Sequence, residues 1–328
     1  MAEQRLIIIT GSTNGIGKAT LERLQRSHPD CTIVGTYKGD NPPEEIERVK
    51  YIRLNLLDFN SIKTFIVELR SFMAERNFNK ISCFINNAGM RGTRSTINFG
   101  NNNEFNKCFF VNLLSTYVLT KEVLTNFETC RVISMGSVKH WRANDDLDVN
   151  SRADVSRFYD NSKLGVFFMS QSLSEEFHGE ESPNRANANT NFCVCNPGFV
   201  ASNIWRDVTF MERMMTGVRH LLALCPDESS ELIVNVALKA FDEEDREIRY
   251  YSQPYDIPLT HTLASYVYTG MYELNDAFGR YTKFLSGDKA DDAITCPSDN
   301  TKNADYFTKY MDEMSKTYQL FKDDAVSL

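Results

Sequence analysis

Residues 6–17 read Leu-Ile-Ile-Ile-Thr-Gly-Ser-Thr-Asn-Gly-Ile-Gly, an unbroken apolar run followed by three glycines, Gly11, Gly15 and Gly17. Four large apolar side chains in a row, with no polar alternation, predict a strand buried on both faces. Glycines placed directly after such a strand allow either a tight turn into a helix or the close approach of a ligand to the backbone. If a helix starts there, its unpaired amides and its dipole favour an anion such as a diphosphate. On the glycines alone both readings stand, and the rest of the chain has to decide.

Further along, short apolar segments recur with helix-period segments between them. Strands are predicted at Leu6–Thr10, Thr32–Thr36, Tyr51–Asn55, Ile81–Asn86, Arg131–Ser134 and Asn191–Cys195. This alternation predicts an α/β chain with a doubly wound parallel sheet of the Rossmann type. Ligands of such sheets sit at the carboxyl ends of the strands, and the chemically unusual segments come after those ends: Gly11–Gly17, Tyr37-Lys38, Asn86–Gly89, Ser137 and Asn196–Ser202. A single domain is expected over 1–328, with a core of about 5–240. The polar, charged stretch 140–158 reads as a surface insertion. About 250–328 reads as a C-terminal extension, irregular over 250–304 and helical in spacing over Ala304–Lys322.

Composition narrows the functional classes. With 42% apolar residues in 328, the chain can bury a large core, and a formal net charge of -8 argues against nucleic acid or an anionic membrane as the main partner. The eight cysteines form no C-x-x-C pair and the five histidines no ligand spacing, so reduced thiols and no metal site are expected; Cys193 and Cys195 alternate across one strand. The first strand is expected by about Leu6, which leaves no room for an apolar leader, and no run reaches the roughly 18 apolar residues of a membrane span. A soluble, cytoplasmic protein is the expectation.

Specific chemistry enters at residues 159–163, Tyr-Asp-Asn-Ser-Lys. Tyrosine and lysine four apart share a helix face, and a neighbouring ammonium favours the phenolate. The pair predicts a general acid/base. Alone it is a common pattern and equally describes an exposed helix pair.

Taken in order, Thr10–Gly17, Asn86–Gly89, Val111-Asn112, Ser137, Tyr159–Lys163 and Asn196–Ser202 resemble the short-chain dehydrogenase/reductase family over about residues 5–240. The pattern is most similar to its retinol dehydrogenase, carbonyl and sterol-ketone reductase and protochlorophyllide reductase branches, which carry a comparable insertion before the tyrosine and a long C-terminus. The resemblance implies a tetrad of Asn112, Ser137, Tyr159 and Lys163. Tyr159 would exchange a proton with the substrate oxygen, Ser137 would hydrogen-bond that oxygen, Lys163 would lower the tyrosine pKa and hold the nicotinamide ribose, and Asn112 would anchor a water. It further implies that the glycines admit the cofactor pyrophosphate. The cofactor would lie against Gly11, Ser12, Thr13, Asn14, Gly15, Ile16 and Gly17, then Asn87, Ala88 and Gly89, then Pro197, Gly198, Val200 and Ser202, besides Tyr159 and Lys163. Asn55 and Leu56 would lie by the adenine.

Gly136 stands where the family often has a serine, so Ser137 is the better catalytic match and Ser134 the fallback. At the end of the second strand Tyr37 cannot accept a ribose hydroxyl as a carboxylate does, whereas Lys38 can meet a 2′-phosphate; NADP(H) is favoured over NAD(H). Phe210–Leu224 is methionine-rich and amphipathic, and the family implies a mobile lid there, with Phe199, Trp205 and Met214 facing an apolar substrate. Peripheral membrane contact through 210–224, or packing in a homodimer, is the alternative for that segment. The functional expectation is an NADP(H)-dependent carbonyl reductase of an apolar small molecule. A non-catalytic NADP(H) sensor or scaffold is the alternative, and a nucleotide-sugar epimerase or dehydratase is disfavoured by the glycine spacing.

Overall fold

The run before the glycines is β1, Arg5–Ile9, and Leu6 through Ile9 have no solvent exposure. Side chains alternate across a strand, so Leu6 and Ile8 enter one core layer while Ile7 and Ile9 enter the other. A strand that feeds two cores belongs at the middle of a sheet covered on both faces, and β1 has that place. A computed structural model describes residues 4–99, 103–147, 156–178, 182–198, 200, 224–240, 248–252 and 304–326.

After β1 come α1 (Gly15–Ser27), β2 (Cys31–Tyr37), β3 (Val49–Arg53), α2 (Phe59–Glu75), β4 (Lys80–Ile81) and β5 (Cys83–Asn86). A hairpin of β6 (Thr96–Phe99) and β7 (Asn103–Asn106) leads into α3 (Lys107–Phe109), a π turn at Phe110–Leu114 and α4 (Ser115–Asn126). Next are β8 (Glu128–Thr129), β9 (Arg131–Met135), a 3₁₀ turn at Val138–Arg142, α5 (Ser156–His178), a second 3₁₀ turn at Arg185–Asn187 and β10 (Asn191–Asn196). Described elements end with α6 (Pro226–Leu238), β11 (Arg249–Ser252) and α7 (Ala304–Val326).

Seven parallel strands make the main sheet in the order β11-β10-β9-β5-β1-β2-β3. Strand order reverses beside β1, so the crevice between the carboxyl ends of β1 and β5 opens at the glycine turn. The chain is thus a doubly wound α/β fold. One layer holds α2, α4, α5 and α7, and the other holds α1 and α6.

Several boundaries move from expectation. The strand predicted at Tyr51–Asn55 runs from Val49 to Arg53, so Asn55 lies past its end. The strand predicted at Ile81–Asn86 is split at Ser82, because β4 pairs with β8 while β5 joins the main sheet. The hairpin and β11 were not expected. At its described ends the stretch 140–158 mixes buried and exposed residues: His140, Ala143, Arg157 and Phe158 are buried, Arg142 and Asn144 are exposed, and α5 already begins at Ser156. The spacing over Ala304–Lys322 does form a helix, and α7 docks Tyr310, Met314 and Phe321 into the core of the α4 and α5 layer.

Candidate active site

The turn after β1 is held by side chains as well as by its backbone, where Ser12 N–H donates to Thr36 O at 3.1 Å. Thr36 Oγ1 accepts the Gly11 N–H at 2.9 Å, and Thr10 Oγ1 accepts the N–H groups of Asn87 and Ala88 at 3.0 and 2.9 Å. Asn87 returns its side-chain amide to the carbonyls of Thr10 and Gly11 at 2.9 and 3.2 Å. For two of the three glycines the chain itself supplies the reason. A Cβ on Gly11 would lie 2.9 Å from Ala88 Cα, and one on Gly17 would collide with the Asn87 side chain and the Gly11 carbonyl. Gly11 and Gly15 also hold φ of 66° and 55°, the left-handed region that favours glycine.

This cradle fits a dinucleotide. No acidic side chain stands in the first turn of α1, and the side chain of Asn14 does not cap it, so an anion there would meet a helix N-terminus of opposite sign. Lys38 stands exposed just beyond β2. The Asn55 side-chain carbonyl oxygen accepts Leu57 N–H at 3.2 Å, and Leu56 turns its side chain into the core. Gly198 has φ 81°, Pro197 O accepts the Ser229 hydroxyl at 2.9 Å, and Val200 and Leu224 form an isolated parallel bridge.

The tetrad comes together beside the cradle. Asn112 sits in the π turn, where Oδ1 accepts Met90 N–H at 2.7 Å and Nδ2 donates to Met90 O at 2.8 Å and Ser162 Oγ at 3.1 Å. Its amide therefore ties Met90, the residue after the Asn86–Gly89 stretch, to α5. Ser162 in turn donates to Tyr159 O at 2.7 Å. Ser137 lies just past β9, its Oγ accepting Lys139 N–H at 3.3 Å, and its hydroxyl lies close enough to the Tyr159 phenol to favour the phenolate. Ser134, the fallback, stays inside β9 against Asn86 Nδ2 at 3.4 Å. Gly136 is a glycine because a Cβ there would stand 2.8 Å from Val194 Cγ1.

Electrostatics differ from the expectation at the tyrosine. Burial pushes the Tyr159 phenol above its usual range, and only Ser137 and the Arg91 charge pull it back. Lys163 does not do so, because its Nζ, 5.5 Å from the tyrosine ring centroid, donates to Met135 O at 2.8 Å. Burial also lowers Lys163 itself, to about 8. In this arrangement Tyr159 is an acid that holds its proton at neutral pH.

Phe199, Ser202, Trp205 and Met214, with the expected lid and the stretch 210–223, lie outside the described residues. Sequence reasoning passed over Thr10, Met90, Cys108 and Ser162. Thr10 was visible as the first letter of the glycine motif; Ser162 lay inside the Tyr159–Lys163 motif; Met90 and Cys108 reach the site only through the fold. Among the described residues no group of acidic, histidine and cysteine side chains could hold a metal, and no helix is long and apolar enough to cross a membrane.

The family model for short chain dehydrogenase matches residues 5–212. The chain belongs to the short-chain dehydrogenase family and is an NAD(P)-dependent oxidoreductase. It is 27% identical over 214 residues to the 3-oxoacyl-[acyl-carrier-protein] reductase of Haemophilus influenzae, covering 62% of this chain and 78% of that one. It is 25% identical over 252 residues to the polyprenol dehydrogenase of Homo sapiens, covering 69% and 70%. Among solved structures, an NADPH-bound carbonyl reductase from chicken fatty liver has the same fold, with a TM-score of 0.54 at 14% identity over 76% of this chain and 93% of that one.

Proposed function

We propose that this chain interconverts a carbonyl and an alcohol on an apolar small molecule with NADP(H), in a cytoplasmic setting. The observation that carries the reading is the placement of Tyr159, its phenol beside the Ser137 hydroxyl just past β9 and its ring 5.5 Å from Lys163 Nζ. Tyr159 donates its proton to the substrate oxygen in reduction, and Ser137 hydrogen-bonds that oxygen as charge develops, a contact worth most in the transition state. Lys163, its Nζ turned to Met135 O, is the group that would hold the nicotinamide ribose. A bound nicotinamide supplies or takes up the hydride. Asn112 holds the α5 helix and Met90, the residue after the Asn86–Gly89 stretch, at a fixed separation, so that Tyr159 and the crevice keep their distance.

Preference for the 2′-phosphate rests on Lys38, and the apolar substrate on the aromatic and methionine side chains Phe199, Trp205 and Met214. Similarity to polyprenol dehydrogenase supports the substrate class. The test is NADPH and NADH oxidation against a panel of small and bulky ketones, aldehydes and quinones, repeated with Lys38→Asp. Turnover is expected fastest with NADPH and bulky apolar carbonyls, and the substitution should weaken NADPH while sparing NADH. Equal losses for both nucleotides, or preference for small polar carbonyls, would overturn those assignments.

A further inference from the structure

The turn that carries Ser137 contains a buried group that the tetrad leaves unused. His140 has no solvent exposure, and its Nδ1 lies 2.5 Å from the Ser137 carbonyl oxygen, which also accepts the backbone N–H of His140 at 3.2 Å. A carbonyl can only accept, so Nδ1 carries the proton. The ring packs 4.8 Å from Phe167 of α5 and 6.0 Å from Tyr250 of β11, centroid to centroid. That surrounding keeps the imidazole neutral, its pKa lowered by burial to about 4. An imidazole costs more to bury than a phenyl ring of similar size, so packing alone does not call for histidine here.

Ser137 needs such a tether. The last sheet hydrogen bond of this strand end is Gly136 N–H to Cys195 O at 2.8 Å, and Gly136 has no side chain with which to anchor the serine beyond it. Ser137 itself is extended, with φ -166° and ψ 150°, and its Oγ accepts Lys139 N–H. With one lone pair of Oγ engaged, the hydroxyl proton is the group the serine can direct outward.

We propose that His140 is a positioning residue for Ser137, its Nδ1–H holding the serine carbonyl so that the hydroxyl faces Tyr159 and the reacting oxygen. The proposal rests on the reading of Ser137 as the catalytic serine. It also gives the edge strand β11 a part in the site, since Tyr250 backs the imidazole.

The test compares His140→Phe, which keeps the ring packing and removes the donor, with His140→Asn, which loses packing and places an amide N–H near the Nδ1 position. Ser137→Ala runs beside them, and turnover, NADPH affinity and thermal midpoint are measured for each, using whichever ketone, aldehyde or quinone the wild type turns over fastest. His140→Phe should lower kcat by roughly 10- to 100-fold, the scale of a displaced catalytic group, with NADPH affinity unchanged. His140→Asn should recover most of kcat while melting lower than His140→Phe. Activity that tracks stability, with His140→Phe at least as active as His140→Asn, overturns the proposal. Wild-type turnover in Ser137→Ala instead overturns the reading of the serine, and the proposal with it. A readout without substitution is the long-range proton–nitrogen spectrum of the imidazole at pH 7: the neutral Nδ1–H tautomer is expected, and the Nε2–H tautomer or an imidazolium refutes it.

Discussion

Replacing Tyr310 by alanine tests whether α7 belongs to the domain that holds the site. Tyr310 is fully buried, with its ring centroid 5.8 Å from Phe109 and 5.2 Å from Phe168, and its hydroxyl donates to Asn144 O at 2.9 Å. It also rests over Gly165, where a Cβ would lie 3.0 Å from the tyrosine Cδ1. One side chain thus touches the helix before the π turn of Asn112, the helix of Tyr159 and Lys163, and the segment that leaves the serine turn. Loss of a buried ring costs about 3–5 kcal/mol, and loss of the hydroxyl alone about 1 kcal/mol. Against a typical total of about 5–15 kcal/mol, the alanine variant gives up a large fraction of stability. Urea unfolding followed by far-ultraviolet circular dichroism should therefore rank wild type, Tyr310→Phe and Tyr310→Ala in that order. A Tyr310→Ala variant within about 1 kcal/mol of wild type would refute the docking of α7 on α4 and α5.

Two predictions concern pH. The folded chain holds His140 neutral down to about pH 4 instead of the ordinary 6.5, so its stabilising contribution is complete above about pH 6.5 and lost as pH falls toward 4. Between pH 7 and 5 that loss is about 2 kcal/mol, read as the extra fall of wild type relative to His140→Phe in urea unfolding; parallel falls contradict a buried neutral imidazole. Lys163, lowered by burial to about 8, is charged below that pH, so kcat/KM for carbonyl reduction should drop about tenfold per pH unit above it, and a profile flat to pH 10 would deny the ammonium a role.

Six strands of the main sheet were legible because each is a run of apolar or β-branched residues with a glycine, asparagine or helical segment after it. β11, Arg-Tyr-Tyr-Ser, escaped because it is four residues long with polar ends, and its strand character comes from pairing with β10. The β6–β7 hairpin escaped for a similar reason: Thr96–Phe99 and Asn103–Asn106 are short and half polar, and Phe99 and Phe105 find partners only in the fold, Phe99 against Phe59 and Phe110 and Phe105 against Phe110. Helical spacing revealed α7 but not where it docks, since nothing local tells Tyr310 to sit over Gly165. At the site, residue types and order suggested the tetrad, and the geometry shows where each of its side chains lies. Lys163 points to Met135 rather than to the phenol, and the Asn112 amide bridges Met90 and Ser162. His140 was hidden by its polar neighbours, although its place three residues after Ser137 was the available signal.

The most direct measurement is turnover and NADPH affinity of Tyr159→Phe. Phenylalanine keeps the ring between α5 and the crevice and removes only the transferable proton. A fall of about 10²–10⁴ in kcat with cofactor affinity unchanged is the expected result. Turnover within about tenfold of wild type would show that the proton comes from elsewhere and that Tyr159 is not the general acid.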